Sequence, residues 1–499
     1  MSSNHQHDNR ERRRRKRRNK LIFKCVLLVA LIIALIFALR LVIGGGKSSG
    51  ASSTSVSSTS TQTTSASSQT DTTSGSASSS SSTAEAGSRE DIINQAQAKA
   101  VQYDYDGAIE LLYTIENYES DADVITLLAD YETQKSNLVA TSPYSVTHVF
   151  FHSLVVDPDR AFSLTGDSSW DNGTIGFCEW MTTVDEFNAM MQQMYDRGYV
   201  LVSINDLMER TTDEDGTVHI TAKDVYLPEG KTPFVLSLDD LSYYHSYDGR
   251  GCATKMIVGD DGKPTCEYVD ANGEGHVGSY DCVPLLDEFI EQHPDFSYKN
   301  AKGTIALTGY NGILGYRTDY CYRDRVELTA DQEAWLEANP NYDWESECTA
   351  AKQVADCLKE DGWTFASHTW GHIRIGDASL ESLQADTEKW LEYVEPLIGE
   401  TDIIIFAHGQ DLASWNEDYA STEKFQYLKS KGFNVYCNVD SSQYFVQIED
   451  SYFRMGRRNL DGYRLWEAVY GGNDKVSDLF DAASVYDAKR PTDESLYAL

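Results

Sequence analysis

Two short stretches carry residue types suited to hydrolysis: Leu236-Ser237-Leu238-Asp239-Asp240 and Ser367-His368-Thr369-Trp370-Gly371-His372. In the first, an apolar run from Pro233 to Leu238 ends in adjacent carboxylates. In the second, the strand-like run Trp363-Thr364-Phe365-Ala366 ends in two histidines four positions apart. One carboxylate with two imidazoles is a common three-ligand set for a catalytic divalent metal, leaving a position for water. The carboxylate left over then serves as general base on that water. Each half alone has a plainer reading, a solvated Asp-Asp loop or a capped histidine turn. Their combination, each at the end of an apolar strand, points to a metal site.

These stretches resemble the motifs of the polysaccharide deacetylase family (carbohydrate esterase family 4, the NodB homology domain). Ser237-Leu238-Asp239-Asp240 is similar to its Thr-Phe-Asp-Asp, and His368-Thr369-Trp370-Gly371-His372 to its His-Ser/Thr-x-x-His. Val149-Phe150-Phe151-His152-Ser153 looks like the family's opening strand, and Phe187 to Leu207, with Gly198-Tyr199, like the helix and strand that follow it. The resemblance covers about residues 146–465. It implies Asp239 as base, with Asp240, His368 and His372 as ligands of a divalent metal, zinc foremost. It also implies de-N-acetylation of an extracellular N-acetylglucosamine polysaccharide, peptidoglycan or poly-N-acetylglucosamine.

The chain departs from the family at two places. Members carry Arg-Pro-Pro-Tyr-Gly at a later strand end, and a Leu-x-His that holds the acid. Here the corresponding strand reads Ile404-Ile405-Phe406-Ala407-His408-Gly409, without the Arg, and no histidine follows Gly432. His408 is the expected acid and His152, ending the first strand, the second candidate; Arg457 or Arg458 is expected to replace the Arg. His152, Trp370 and Gly409 are expected against the substrate, with Tyr243, Tyr244, Tyr247, Tyr310 and Tyr316 near the mouth as sugar-stacking candidates. The unmatched acid keeps a second reading open, a carbohydrate-binding or scaffold protein on a deacetylase-like barrel. A glycoside hydrolase is disfavoured, because adjacent carboxylates cannot readily flank a glycosidic bond at ~5–9.5 Å.

The elements that position these residues alternate. Strands are predicted at 146–151, 199–203, 233–238, 303–308, 362–366, 402–407 and 432–438. Helices are predicted at 184–197, 283–292, 349–359, 380–397 and 421–431. Such alternation argues for an α/β fold on a parallel sheet, which the resemblance sharpens to a distorted, incomplete (β/α) barrel of about seven parallel strands. Residues 243–281 read as an insertion at the catalytic face. The segment from Tyr452, with Arg454, Arg457 and Arg458, is expected to close the barrel or supply a basic contact, and 466–499 reads as a C-terminal tail.

Before the barrel, the chain changes character three times. Residues 1–20 form a basic tail, with nine Lys or Arg between Arg10 and Lys20. Residues 21–43 are apolar apart from Lys24 and Arg40 and would span about 34 Å as a helix, enough for the ~30 Å hydrocarbon core. The basic flank places the N-terminus in the cytoplasm and the rest outside, as a single-pass cell-membrane protein; a cleaved signal peptide is the competing reading. Residues 44–88 are a Ser/Thr-rich linker without apolar content to order it. Residues 89–140 show helical spacing in a tetratricopeptide-like pattern, read as a bracing stem ahead of a peptide groove. Residues 1–47 carry a net +10, so the whole-chain −36 leaves −46 for residues 48–499. A domain that acidic is a poor partner for nucleic acid. Eight of the nine cysteines lie beyond the apolar segment, and an exported domain permits disulfides, with a local staple expected among Cys252, Cys266, Cys282 and Cys321.

Overall fold

Successive residues of a strand face opposite sides of the sheet, so short, largely apolar strands can fill both an interior and an outer core. The computed structural model describes residues 87–414 and 417–497. It forms seven such strands, β1 (Thr147–Phe151), β2 (Thr232–Asp239), β3 (Thr304–Leu307), β4 (Thr364–Ser367), β5 (Ile403–Ile405), β6 (Val435–Val439) and β7 (Tyr452–Asn459). Spatial order follows chain order, every pairing is parallel, and β7 returns to β1 through Arg458–Val149 and Asn459–Phe150. The ring is therefore a closed (β/α) barrel of seven strands, where the resemblance implied an incomplete one. It is thinnest between β4 and β5, joined by Ser367 opposite Ile404 alone.

The strand expected at 199–203 is not one of the seven. Tyr199–Leu201 pairs with the first part of β2, Thr232–Phe234, whereas β3 takes over at Ser237–Asp239. The seventh place belongs to β7, so the segment from Tyr452 does close the barrel.

Val235, Ala306, Ala366, Ile403, Ile405, Val435, Cys437, Phe453 and Met455 fill the barrel interior. Their chain neighbours Phe234, Leu236, Ile305, Phe365, Ile404 and Tyr436 join the outer core. That outer core takes the apolar faces of α-helices at Val184–Asp196, Cys282–Gln292, Trp344–Glu360, Leu380–Tyr393 and Glu423–Ser430.

Residues 89–136 form α1 (Arg89–Val101), α2 (Tyr105–Tyr113) and α3 (Ala122–Ser136), each with a side-chain N-cap, from Ser88, Asp104 and Asp121. Their buried residues Ala96, Ala108, Leu112 and Val124 belong to the same apolar cluster as the barrel interior. Tyr103 Oη donates to the Asp295 carbonyl and the Lys299 N–H to the Gln102 carbonyl, fastening the stem to the barrel.

Three further expectations meet the structure here. The insertion at 243–281 contains an antiparallel meander, Ala253–Val258, Pro264–Val269 and Gly275–Gly278. The stretch after 465 is not a loose tail: Val476, Leu479, Phe480, Ala482 and Val485 are in the barrel's outer core. Arg490 there pairs with Glu186, both side chains wholly buried, at 2.6 Å. The disulfide staple is not formed, since all eight described cysteines are thiols. Most serve as small core residues, as Cys266 does beside Met256 and Tyr243. The expected membrane span at 21–43 lies outside the described residues, among which no helix is long and apolar enough to cross a membrane.

Candidate metal centre

Strands β2, β4, β5 and β7 deliver polar side chains where they end, at one mouth of the barrel. Asp239 closes β2 and Asp240 follows it at φ 59°. His368 follows β4; Thr369 and His372 beyond it have φ of 65° and 50°. Left-handed backbone at non-glycine residues costs on the order of 1 kcal/mol or more and gathers at functional sites. Asp386, on the helix Leu380–Tyr393, holds this turn by accepting the Trp370 and Gly371 N–H groups at 2.7 and 2.8 Å.

The result is convergence. One ligand atom from each of Asp240, His368 and His372 lies within 4.8 Å of the others. His372 Nε2 is 3.4 Å and His368 Nε2 4.0 Å from Asp240 oxygens. His368 Nδ1 is 2.8 Å from the Ile405 carbonyl, which only accepts, so Nδ1 carries the hydrogen and Nε2 presents a lone pair to the cluster. Asp240 is steadied by the Tyr244 hydroxyl, which donates to Oδ1 at 2.6 Å while Tyr310 stacks on its ring at 4.8 Å. This donor set, one carboxylate and two imidazoles with a fixed tautomer, fits a divalent metal.

Asp239 sits beside the cluster, 3.9 Å from His368 Nε2. Arg457 from β7 grips it with both nitrogens, Nη1 to Oδ1 at 2.6 Å and Nη2 to Oδ2 at 2.9 Å. Burial would raise this carboxyl; the charges of Arg457 and His368 and the Arg457 hydrogen bonds outweigh it and hold Asp239 well below the usual carboxylate range. Arg457 is itself wholly buried, lies 4.2 Å from the centre of the Phe150 ring and also donates to Ser237 Oγ. Of the two arginines expected in place of the one absent at 404–409, Arg457 is the one that reaches Asp239. Arg458, the alternative, points outward and pairs with Asp478.

The other expected residues divide. His152 follows β1, and its Nδ1 donates to the Trp180 carbonyl at 3.0 Å, which leaves Nε2 free. His408 has φ 57°, is exposed, and donates from Nε2 to the His372 carbonyl at 3.0 Å, its ring 4.3 Å from that of His372. Partial desolvation of the ring under its neighbours, with His372 and Arg374 close by, lowers the pKa of His408. Gly409 adopts φ 65° against Val439, where a Cβ would come within 2.7 Å of that side chain. Trp370, expected against substrate, is instead a core residue, 7% exposed and packed on Gly309, Tyr320 and Tyr393. Tyr243 and Tyr316 are likewise buried, while Tyr247 and Tyr310 are half-buried. Asp386 was missed from sequence: its only signal was a lone acid on the inner face of a helix.

No protein-family model matches the chain, and no curated protein does. Among solved structures it is similar to one described as Streptococcus pyogenes deacetylase PplD in complex with acetate. The identity is 12% and the TM-score 0.33, over 65% of this chain and 95% of that one.

Proposed function

We propose that this protein is a metal-dependent hydrolase that removes N-acetyl groups from an N-acetylglucosamine polysaccharide outside the cell, peptidoglycan or poly-N-acetylglucosamine. The observation that carries the reading is the Asp240–His368–His372 cluster with the Arg457-clamped Asp239 beside it, at the mouth of the barrel. Those three residues would hold a divalent metal, zinc foremost, which would supply Lewis acidity and a water of lowered pKa.

The chain's own groups do the rest. Asp239, kept ionised by Arg457, takes the proton of the attacking water on a carboxylate oxygen. Tyr244 and the Ile405 carbonyl hold Asp240 and His368 in orientation. The departing amine takes its proton from His152, in preference to His408. The anchored Nδ1–H of His152 leaves Nε2 to exchange protons, and both Asp239 and Asp240 feel its charge. His408 is engaged with the carbonyl of a ligand residue and has a lowered pKa, which favours its neutral form. The apolar segment 21–43 with its basic flank is the feature that supports a location in the cell membrane.

Acetate release from N-acetylglucosamine oligomers and from peptidoglycan tests this, with wild type, Asp239→Asn and His368→Ala compared and metal content measured in each. Release by wild type alone, with metal kept by Asp239→Asn and lost from His368→Ala, is expected. Bound metal without release from any glycan would overturn the hydrolase in favour of a binding protein.

A further inference from the structure

The alternation that turns Arg457 inward turns Asn459 inward as well, one step nearer the barrel mouth. Asn459 spans two charged neighbours. Its Nδ2 donates to Asp461 Oδ2 at 2.7 Å, and its Oδ1 accepts from Arg464 Nε and Nη2 at 3.3 and 3.2 Å. Asp461 caps the short helix Gly462–Trp466, accepting the Arg464 N–H at 2.7 Å. The Arg464 guanidinium is thereby held at the mouth, where β7 meets β1. It is 8% exposed and forms no ion pair with a carboxylate among the described residues. Its Nη1 has no partner in the protein, yet that atom is not enclosed and can meet a ligand.

Glu179, in the last turn of the helix Ser168–Trp180, repeats the pattern independently. It too is 8% exposed, its carboxylate makes no hydrogen bond or ion pair among the described residues, and its oxygens remain accessible. Burial and the charge of Asp461 raise its pKa, the penalty of a carboxyl left without a cation. Charged groups this buried are normally satisfied, and here a cation and an anion flank Asp461 without pairing with each other. Both stand beside the candidate acid. Trp180, next to Glu179, takes the His152 Nδ1–H on its carbonyl, and His152 and Asp461 feel each other's charge.

A guanidinium nitrogen only donates and a carboxylate only accepts. Together they match neighbouring hydroxyls of one sugar ring, the first accepting from Arg464 and the second donating to Glu179. A ligand of one charge sign would satisfy one of the two and oppose the other. The Trp180 side chain, 37% exposed, adds an aromatic face of the kind a pyranose stacks on. We propose that Arg464 and Glu179 form a subsite for an uncharged pyranose, bound through vicinal hydroxyls beside the candidate centre. That this sugar is a neighbouring unit of an N-acetylglucosamine polymer rests on the deacetylase reading; the match of one donor and one acceptor to a neutral diol does not.

Calorimetric titration of the full chain tests this in an Asp239→Asn background, where no oligomer is consumed. The probes are N-acetylglucosamine tetramer and the dipeptide alanyl-glutamate, whose ammonium and carboxylates could meet the same two charges. The tetramer is expected to bind and the dipeptide not to. Glu179→Gln and Arg464→Lys are each expected to weaken the tetramer by roughly fivefold or more, with metal content and melting temperature unchanged. Glu179 bonds nothing in the protein, and lysine keeps a donor for Asn459, so both variants keep the fold. Failure of the tetramer to bind, indifference to either variant, preference for the dipeptide, or weakening that comes with lost metal or a lower melting temperature would overturn the subsite. Tetramer binding that both variants weaken, in a protein that releases acetate from no glycan, would overturn only the deacetylase reading.

Discussion

Arg457 sets the charge state on which the candidate base depends. Its planar fork meets both oxygens of Asp239, a geometry an ammonium cannot reproduce. Arg457→Lys is expected to lower kcat/KM by roughly 10–100-fold with metal content unchanged. Arg457 favours the ionised carboxylate, so weakening it raises the Asp239 pKa, and the acidic limb of the pH–rate profile moves to higher pH. An unmoved limb would mean that Asp239 is not the titrating base. His152→Ala is expected to reduce kcat more than His408→Ala does, both variants keeping metal; the reverse order would return the acid role to His408. Asp239, Asp240, His368 and His372 were legible in the sequence because each belongs to a short motif at a strand end. Arg457 lies 218 residues from its partner, and sequence narrowed the choice only to two adjacent arginines. Strand alternation separates them, turning Arg457 inward to Asp239 and Arg458 outward to Asp478. Trp370 misled because a tryptophan beside a ligand histidine fits a stacking wall and a core equally well.

The elements show the same division between local and distant signals. Strand periods placed six of the barrel's seven strands to within a few residues, whereas Tyr452–Asn459 was expected only as a closing segment in place of the strand at 199–203, and the contacts of residues 466–497 with the helix Val184–Asp196 left no local pattern. Arg490 bonds Glu186 through Nε and Nη2 at 2.7 and 2.6 Å and donates to the Cys178 and Met181 carbonyls. Removing one partner of a wholly buried pair costs about 3–5 kcal/mol. Arg490→Met is therefore expected to lower the melting temperature markedly; a surface-like loss would show that the segment is dispensable. A second case sits at the start of the helix Cys282–Gln292. Asp281 caps it, accepting the Leu154 and Cys282 N–H groups in a wholly buried position. Burial pushes its pKa up to about 6. The folded state thus holds this proton more tightly than the unfolded chain, so the stability it contributes is complete below about pH 4 and is lost as pH rises through 6. Asp281→Asn keeps an acceptor and removes the charge. Its stability relative to wild type is expected to rise by on the order of 2–3 kcal/mol between pH 4 and pH 7.5. Urea denaturation at both pH values checks this, and a gap independent of pH would refute it.

At the scale of the whole molecule, the question is whether the helical stem is a module or part of the barrel. Its sequence looked like one tetratricopeptide-type hairpin, too short to be stable by stacking alone. The structure supplies the missing support: Ala96, Ala108, Leu112 and Val124 share one apolar cluster with Val235, Ala306 and Ile405 from the barrel interior. A core shared in this way couples the two parts, because opening either exposes apolar surface of the other. The full chain is therefore expected to unfold residues 87–497 in a single calorimetric transition. Deletion of 89–137 is expected to lower the barrel's stability and its solubility, and not to release an intact catalytic domain. A separate low-temperature transition that Leu112→Ala abolishes while the main transition stays in place would show the stem to be independent. A single transition shifted downward by Leu112→Ala, accompanied by a parallel loss of metal from the mouth on heating, would instead show that the stem and the candidate centre stand on one core.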